Sequence, residues 1–318
     1  MNLAQLFDDP ANAALVEPAL ARAGHDGIRE ARADALWAAS QPAPGRLDWT
    51  FSDRVAGALA GHGIRWWAVL DYAPAWAAAA PASFHSAPRD PADFGAFAGA
   101  FARRYGPGGA FWREHPELPD LPVRTIEVWN EPDSRIFWVP GPDPVAYART
   151  FAAAVRAVPS DVRLVVGGLT GTGTFLPAVL AAEPVIAGRI AAVAVHPYGL
   201  SSPAVLARLG GFRTAAERAG LDHVPLAVTE VGWATRPPGN DYFASEEDRG
   251  RLLATTFPAL ARTACVESAF LSSYTTPERR PGDVGDWFGI VPPGGGEGPS
   301  RTAFRALVTD PPAAARCP

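Results

Sequence analysis

The sequence contains no lysine, so all 28 of its lysine-or-arginine positions are arginine. A lysine forms the Schiff base of many aldolases, anchors pyridoxal phosphate and completes the phosphate-binding P-loop. Its absence excludes aldolase-type and kinase-type chemistry of these kinds. It also removes pyridoxal phosphate from the candidate cofactors, and no other cofactor is indicated.

Clustered positive charge and long apolar runs are absent as well. The net charge is −5 with no basic tract, which gives no footprint for nucleic acid or an anionic membrane. No apolar run approaches the roughly 18 residues that a membrane span requires.

Residues 1–24 lack the apolar core of a signal peptide. The six histidines show no metal-ligand spacing, so no metal site is predicted.

What is present is a regular alternation of strand-like and helix-like segments, which predicts a parallel α/β sheet. The predicted strands cover 27–33, 64–71, 124–130, 162–168, 190–196, 225–230 and 267–274. The predicted helices cover 11–23, 51–61, 91–105, 143–157, 175–182, 203–219, 246–263 and 300–308.

A short first strand in MNLAQLF, residues 1–7, would complete eight βα units. Eight units close into a (β/α)₈ TIM barrel, and a doubly wound open sheet is the alternative. We expect a single-domain barrel over 1–308, followed by a C-terminal tail, 309–318. The oligomeric state is left open.

Two carboxylates follow predicted strands at their carboxyl ends, where barrel enzymes carry their active sites. Glu131 follows Asn130 at the end of one strand, and Glu230 ends another. Hydrolysis of a glycosidic bond needs one protonated and one ionised carboxyl group. Burial and mutual repulsion hold the pKa values of such a pair apart.

Three segments together resemble the clan A glycoside hydrolases, which are retaining (β/α)₈ enzymes: VWNEPD (128–133), HPYG (196–199) and TEVGW (229–233). The stretches beginning RADALW at residue 32 and LDYAPAWA at residue 70 resemble families 39 and 5 of that clan. The resemblance spans about residues 25 to 308.

The resemblance implies roles for individual residues. Glu131 corresponds to the acid/base and Glu230 to the nucleophile. The other implied contacts are Asn130 with the sugar 2-hydroxyl, Arg32 and Tyr198 with the nucleophile, and His196 beside them. Aromatic residues at or beyond strand ends are candidates for stacking on sugar rings. The remaining predicted substrate-binding residues are Trp37, Tyr72, Trp76, Trp233, Tyr274 and Trp287.

These features predict a retaining glycoside hydrolase that acts on an oligosaccharide, polysaccharide or glycoside. Glu230 would attack the anomeric carbon while Glu131 protonates the leaving oxygen and later deprotonates water. Retention predicts carboxyl groups about 5–5.5 Å apart, and inversion about 6.5–9.5 Å. The alternatives are a transglycosidase using the same residues and a catalytically silent carbohydrate-binding barrel. The sugar, the linkage and exo or endo action stay open.

The two cysteines, Cys265 and Cys317, allow two interpretations. The barrel topology brings the start of the last strand and the chain's tail to the same face, where a disulfide would pin the tail. Two free thiols are the alternative. A disulfide would indicate an oxidising compartment and favour secretion.

Overall fold

The computed structural model describes residues 1–313, Ala315 and Cys317. Its strands are β1 (Glu30–Leu36), β2 (Arg65–Asp71), β3 (Thr125–Val128), β4 (Arg163–Leu169), β5 (Ile190–Val195), β6 (Leu226–Val231) and β7 (Val266–Leu271). Its helices are α1 (Ala4–Asp8), α2 (Ala13–His25), α3 (Trp37–Ser40), α4 (Thr50–Gly61), α5 (Pro91–Tyr105), α6 (Ala110–Glu114), α7 (Pro144–Ala157), α8 (Phe175–Ala182), α9 (Ser202–Arg218), α10 (Glu246–Arg262) and α11 (Pro299–Thr309). The sheet order follows the chain, from β1 to β7.

The seven internal strands and eight helices predicted from the periodicity are confirmed, with ends that agree within three residues. No helix in the described part of the chain is both long and apolar enough to cross a membrane.

The eighth strand, predicted in residues 1–7, does not form. Leu3, Leu6 and Phe7 are all buried, and this spacing belongs to a helical turn rather than a strand. The chain accordingly turns into α1 after residue 3. Residues 1–3 nevertheless connect two strands, since the Asn2 amide donates to the Leu271 carbonyl of β7 and the Arg32 amide of β1 donates to the Met1 carbonyl.

The chain divides into two compact units, each described here by itself. Unit 1 comprises residues 1–33, 195–211 and 225–318, and unit 2 comprises residues 34–194 and 212–224. The prediction of a single domain over 1–308 stays a prediction. Three residues of the predicted tail, 314, 316 and 318, lie outside the described part.

Unit 2 contains β2, β3 and β4, paired in parallel with Trp67 opposite Thr125 and Thr125 opposite Arg163. Helix α5 begins at Pro91 after the Asp90 cap, whose carboxylate accepts from the Ala92 amide. Helices α5 and α7 pack very closely, because a Cβ at Gly95 would lie 2.8 Å from a carbonyl oxygen of α7.

Unit 1 contains β6 and β7, which pair in parallel from Leu226 opposite Val266 to Val231 opposite Leu271. A buried ion pair ties α2 to α11, with Arg301 donating to both carboxylate oxygens of Asp26 at 2.9 Å. Each charged group hydrogen-bonds the other, and this offsets the free-energy cost of removing both charges from water.

Cys265 and Cys317 form a disulfide, so the first of the two interpretations is confirmed. The bond joins the residue before β7 to the tail across a sequence separation of 52. It constrains the unfolded chain by closing this long loop.

Reduction of this disulfide is expected to lower the thermal midpoint. In the chain-entropy treatment a loop of this length stabilises the folded chain by about 4 kcal/mol. Thermal unfolding of wild type and Cys317→Ser, each with and without dithiothreitol, checks the prediction. Reductant should lower the midpoint of the wild type to that of the variant and leave the variant unchanged. Equal midpoints for all four samples would contradict it.

Candidate active site

Glu230 is the penultimate residue of β6, and its side chain is 16% exposed. The strand is held close to the segment after β7, because a Cβ at Gly232 would overlap the Ser272 carbonyl oxygen. Only glycine fits at this approach, which explains the glycine in the TEVGW segment. The carboxylate therefore projects from a tightly fixed strand end.

Three side chains of unit 1 donate hydrogen bonds to this carboxylate. Oε1 accepts from Arg32 Nη1 at 2.7 Å and from Asn2 Nδ2 at 2.9 Å. Oε2 accepts from the Tyr198 hydroxyl at 2.7 Å. Hydrogen bonds to an ionised acceptor are short and strong, and they favour the charged form. The site is therefore built to hold Glu230 as a carboxylate.

The electrostatics lead to the same conclusion. Burial alone would raise the pKa of Glu230, but nearby His196, the charge of Arg32 and the hydrogen bonds from Tyr198 and Arg32 lower it overall. His196 Nε2 lies 3.9 Å from Oε1 and 3.1 Å from the Thr229 hydroxyl. Glu230 thus stays ionised at a pH where a free glutamate would begin to take up a proton.

Tyr198 is oriented by aromatic packing. Its ring meets Tyr242 and Phe288 edge-on, with centroids 5.1 and 6.0 Å away. These contacts fix the ring, so its hydroxyl is aimed at Glu230 without a large loss of side-chain freedom.

In unit 2, Glu131 follows β3 and is half-buried. Its φ is +46°, and Trp129, two residues earlier, has φ +72°. Left-handed backbone is uncommon for residues other than glycine and tends to cluster at functional sites. The Trp129 indole holds this turn, since it is fully buried and donates to the Phe137 carbonyl at 2.7 Å.

Asn130 lies between these two residues and is buried. Its Nδ2 donates to the Tyr72 hydroxyl at 3.4 Å. The Tyr72 ring, at the end of β2, packs against His85 at 4.7 Å and Phe84 at 5.1 Å. Phe84 is 56% exposed, so unit 2 presents one aromatic ring to solvent beside Tyr72.

Two further carboxylates of unit 2 have structural partners. Glu127 is fully buried and accepts from the Trp67 indole at 3.0 Å and the Gly168 amide at 3.0 Å. Glu127 is therefore a paired residue of the sheet interior. Asp133 accepts from the backbone amides of Thr170 and Gly171 and so holds the loop after β4 in place, a role the sequence did not reveal.

Three residues expected to bind substrate are fully covered by protein. The Trp37 indole donates to Gln41, the Trp233 indole donates to the Gly199 carbonyl, and the Tyr274 hydroxyl donates to Asp26. Each is at most 1% exposed. Their rings are covered in this structure, and sugar contact by these three residues stays a prediction.

Trp76 and Trp287 keep partly exposed rings. The Trp76 indole donates to the Gln41 carbonyl at 2.9 Å. Trp287 carries the Arg236 guanidinium over its ring, 5.0 Å from the centroid, which occupies one face with a cation–π contact. Sugar contact by these two residues stays a prediction.

Replacing Tyr198 by phenylalanine is expected to move the acid limb of the kcat/KM profile to higher pH. The hydroxyl lowers the pKa of Glu230, so its loss raises that pKa, and the ionised fraction falls at low pH. The profile measured on any cleaved glycoside checks the shift. Tyr105→Phe is the matched control, because its hydroxyl donates to Asp53 at 2.6 Å within unit 2. If the acid limb of the kcat/KM profile does not move in Tyr198→Phe, ionisation of Glu230 does not set that limb.

Solved structures of glycoside hydrolases match nearly the whole chain. A monomeric β-xylosidase from Caulobacter crescentus CB15 covers 96% of it with a TM-score of 0.72 and 21% identity. A GH39 enzyme from Xanthomonas axonopodis pv. citri covers 97% with a TM-score of 0.73 and 20% identity. A GH5_18 enzyme from Bifidobacterium longum subsp. longum covers 98% with a TM-score of 0.69 and 12% identity.

These likenesses show that the chain has a TIM-barrel-like α/β fold, and they confirm at that level the predicted resemblance to families 39 and 5. The chain spans 66%, 66% and 76% of the lengths of these three structures. No protein-family model matches the chain, and no curated protein matches it.

Proposed function

We propose that this protein is a retaining glycoside hydrolase that cleaves O-glycosidic bonds by double displacement. The observation that carries the proposal is the environment of Glu230. An ionised carboxylate that accepts from Arg32, Asn2 and Tyr198, at the end of a strand, suits a nucleophile that must be charged before it attacks. The glycoside hydrolases among the matching structures support this reaction class.

In the first step Glu230 attacks the anomeric carbon, and the bond to the leaving oxygen breaks with its electron pair. Glu131 gives its proton to that oxygen. In the second step Glu131 takes a proton from water, the resulting hydroxide displaces Glu230, and the sugar leaves with its original configuration. Each carboxyl group is thereby returned to its starting state, and no cofactor is required.

The assignment of Glu131 rests on the NEP segment and on its local structure. Glu131 has left-handed backbone and follows the fully buried Trp129, so its main chain is held in place, as the acid/base of such a reaction requires. The cooperation of Glu131 with Glu230 is inferred from the resemblance to clan A enzymes.

Substrate contact is proposed for Asn130, at the sugar 2-hydroxyl, and for the half-buried rings of Trp76 and Trp287. In unit 2, the exposed ring of Phe84 is a further candidate for stacking on a sugar. Aromatic rings bind the apolar faces of pyranose rings, which makes a carbohydrate the expected substrate.

A panel of aryl glycosides tests the proposal: xyloside, arabinosides, glucoside, galactoside, mannoside and fucoside, in both anomeric forms. Proton NMR of the first-formed sugar reports its configuration before mutarotation, and we expect it to match the substrate. An inverted product would contradict the mechanism. Added alcohol or sugar acceptors distinguish a transglycosidase, which forms mainly transfer products. No turnover of aryl glycosides or of longer oligosaccharides would favour a silent carbohydrate-binding barrel.

A further inference from the structure

Asn2 lies where the sequence predicted the first strand, and its side chain reaches Glu230. It is 5% exposed, and its Nδ2 donates to Glu230 Oε1 at 2.9 Å. Arg32 Nη1 donates to the same oxygen at 2.7 Å. A carboxylate oxygen offers two lone pairs to donors. Asn2 and Arg32 therefore fill both hydrogen-bonding positions of Oε1.

The other oxygen, Oε2, is bound differently. Within the described part of the chain it accepts one hydrogen bond, from the Tyr198 hydroxyl at 2.7 Å. One lone pair of Oε2 is therefore left to form a bond to carbon. The two oxygens of the Glu230 carboxylate therefore differ in their hydrogen bonding, with two donors at Oε1 and one at Oε2.

We propose that Asn2 is a positioning residue for Glu230, which with Arg32 immobilises Oε1 so that Oε2 attacks the anomeric carbon. This inference rests on the proposed function and extends it to a residue outside the recognised segments. The Oε2 lone pair forms the new bond while the bond to the leaving oxygen breaks. In the glycosyl ester, Oε1 becomes the carbonyl oxygen and retains both donors. When water releases the sugar, the same donors stabilise the returning carboxylate.

Backbone contacts make Asn2 suitable for this role. Its own amide donates to the Leu271 carbonyl at 2.8 Å, and the next residue, Leu3, donates to the Arg32 carbonyl at 2.8 Å. The main chain is thus fixed between β7 and the strand that carries Arg32. These backbone hydrogen bonds do not involve the Asn2 side chain, so we expect them to persist when Asn2 is substituted.

The test uses Asn2→Ala and the isosteric Asn2→Asp. We expect kcat/KM to fall by about 10- to 100-fold in Asn2→Ala, as for loss of a hydrogen bond to a charged group. The loss should appear in kcat with KM little changed, because Asn2 contacts the nucleophile rather than the sugar. Asn2→Asp keeps the shape but adds negative charge, so we expect a larger loss.

The pH dependence separates positioning from general destabilisation. In unit 1 the titratable and charged groups facing Glu230 are Arg32, His196 and Tyr198. Both Asn2 variants should move the acid limb of kcat/KM to higher pH. Asn12→Ala is the matched control, since this buried asparagine accepts from Arg279 at 2.8 Å. It should lower the thermal midpoint and leave the acid limb unmoved.

A measurement without turnover keeps this inference distinct from the proposed function. Carbon-13 NMR of glutamate-labelled protein follows the Glu230 carboxyl through a pH titration, with its signal assigned by loss in Glu230→Gln. We expect the pKa of Glu230 to rise in Asn2→Ala even if no glycoside is cleaved. An unchanged titration, or unchanged kcat with an altered KM, would overturn the role of Asn2. Failure of wild type to cleave any glycoside with a normal titration shift would count against the proposed function alone.

Discussion

Glu230→Ala is expected to lose at least about 10⁴-fold in kcat/KM on any aryl glycoside that wild type cleaves, because the proposed nucleophile of the covalent step is gone. Azide added to this variant should restore turnover. The small anion enters the space left by the carboxylate and attacks the anomeric carbon directly. The product should be a glycosyl azide of inverted configuration, identified by NMR.

The folded state of the variant must be established alongside its activity. Removing the carboxylate leaves Arg32 without this partner, which is a destabilising change for a 1% exposed guanidinium. Circular dichroism and the thermal midpoint serve as the check, and azide rescue itself requires a folded site. Full activity in Glu230→Ala would show that the reaction uses another residue.

Glu131→Ala is expected to lose about 10²–10⁴-fold on glycosides with poor leaving groups, since general acid catalysis is removed. Activated leaving groups such as 2,4-dinitrophenol need no proton, so the first step should be nearly normal for them. The second step lacks its base, and the glycosyl-enzyme should accumulate as a rapid burst of phenol.

Azide also distinguishes the two glutamates. In Glu131→Ala it should attack the accumulated glycosyl-enzyme and give a glycosyl azide of retained configuration, opposite to the product from Glu230→Ala. Glu117→Ala is the control, because Glu117 is an exposed partner of His115 and such surface pairs contribute little. A retained azide from Glu230→Ala and an inverted azide from Glu131→Ala would instead make Glu131 the nucleophile and Glu230 the acid/base.

Periodicity predicted the internal strands and the helices closely because both depend on local patterns of apolar residues. It was wrong for residues 1–7, where three buried apolar side chains at helical spacing lie in a short segment. Such a segment is too short for its pattern to distinguish a strand from a turn of helix, and only packing against β1 and β7 decides its conformation.

The sequence by itself identified Glu131 and Glu230 as carboxylates at the carboxyl ends of strands, and its resemblance to clan A enzymes implied Asn130, Arg32 and Tyr198 as further candidates. Tertiary structure decided which side chains reach Glu230, because its donors are remote in sequence: Asn2 is 228 residues away and Arg32 is 198. It also decided that Trp37, Trp233 and Tyr274 are covered, and that the two cysteines are joined. Residue type and spacing specify local conformation, whereas burial and hydrogen-bond partners depend on contacts that form only when distant segments pack together.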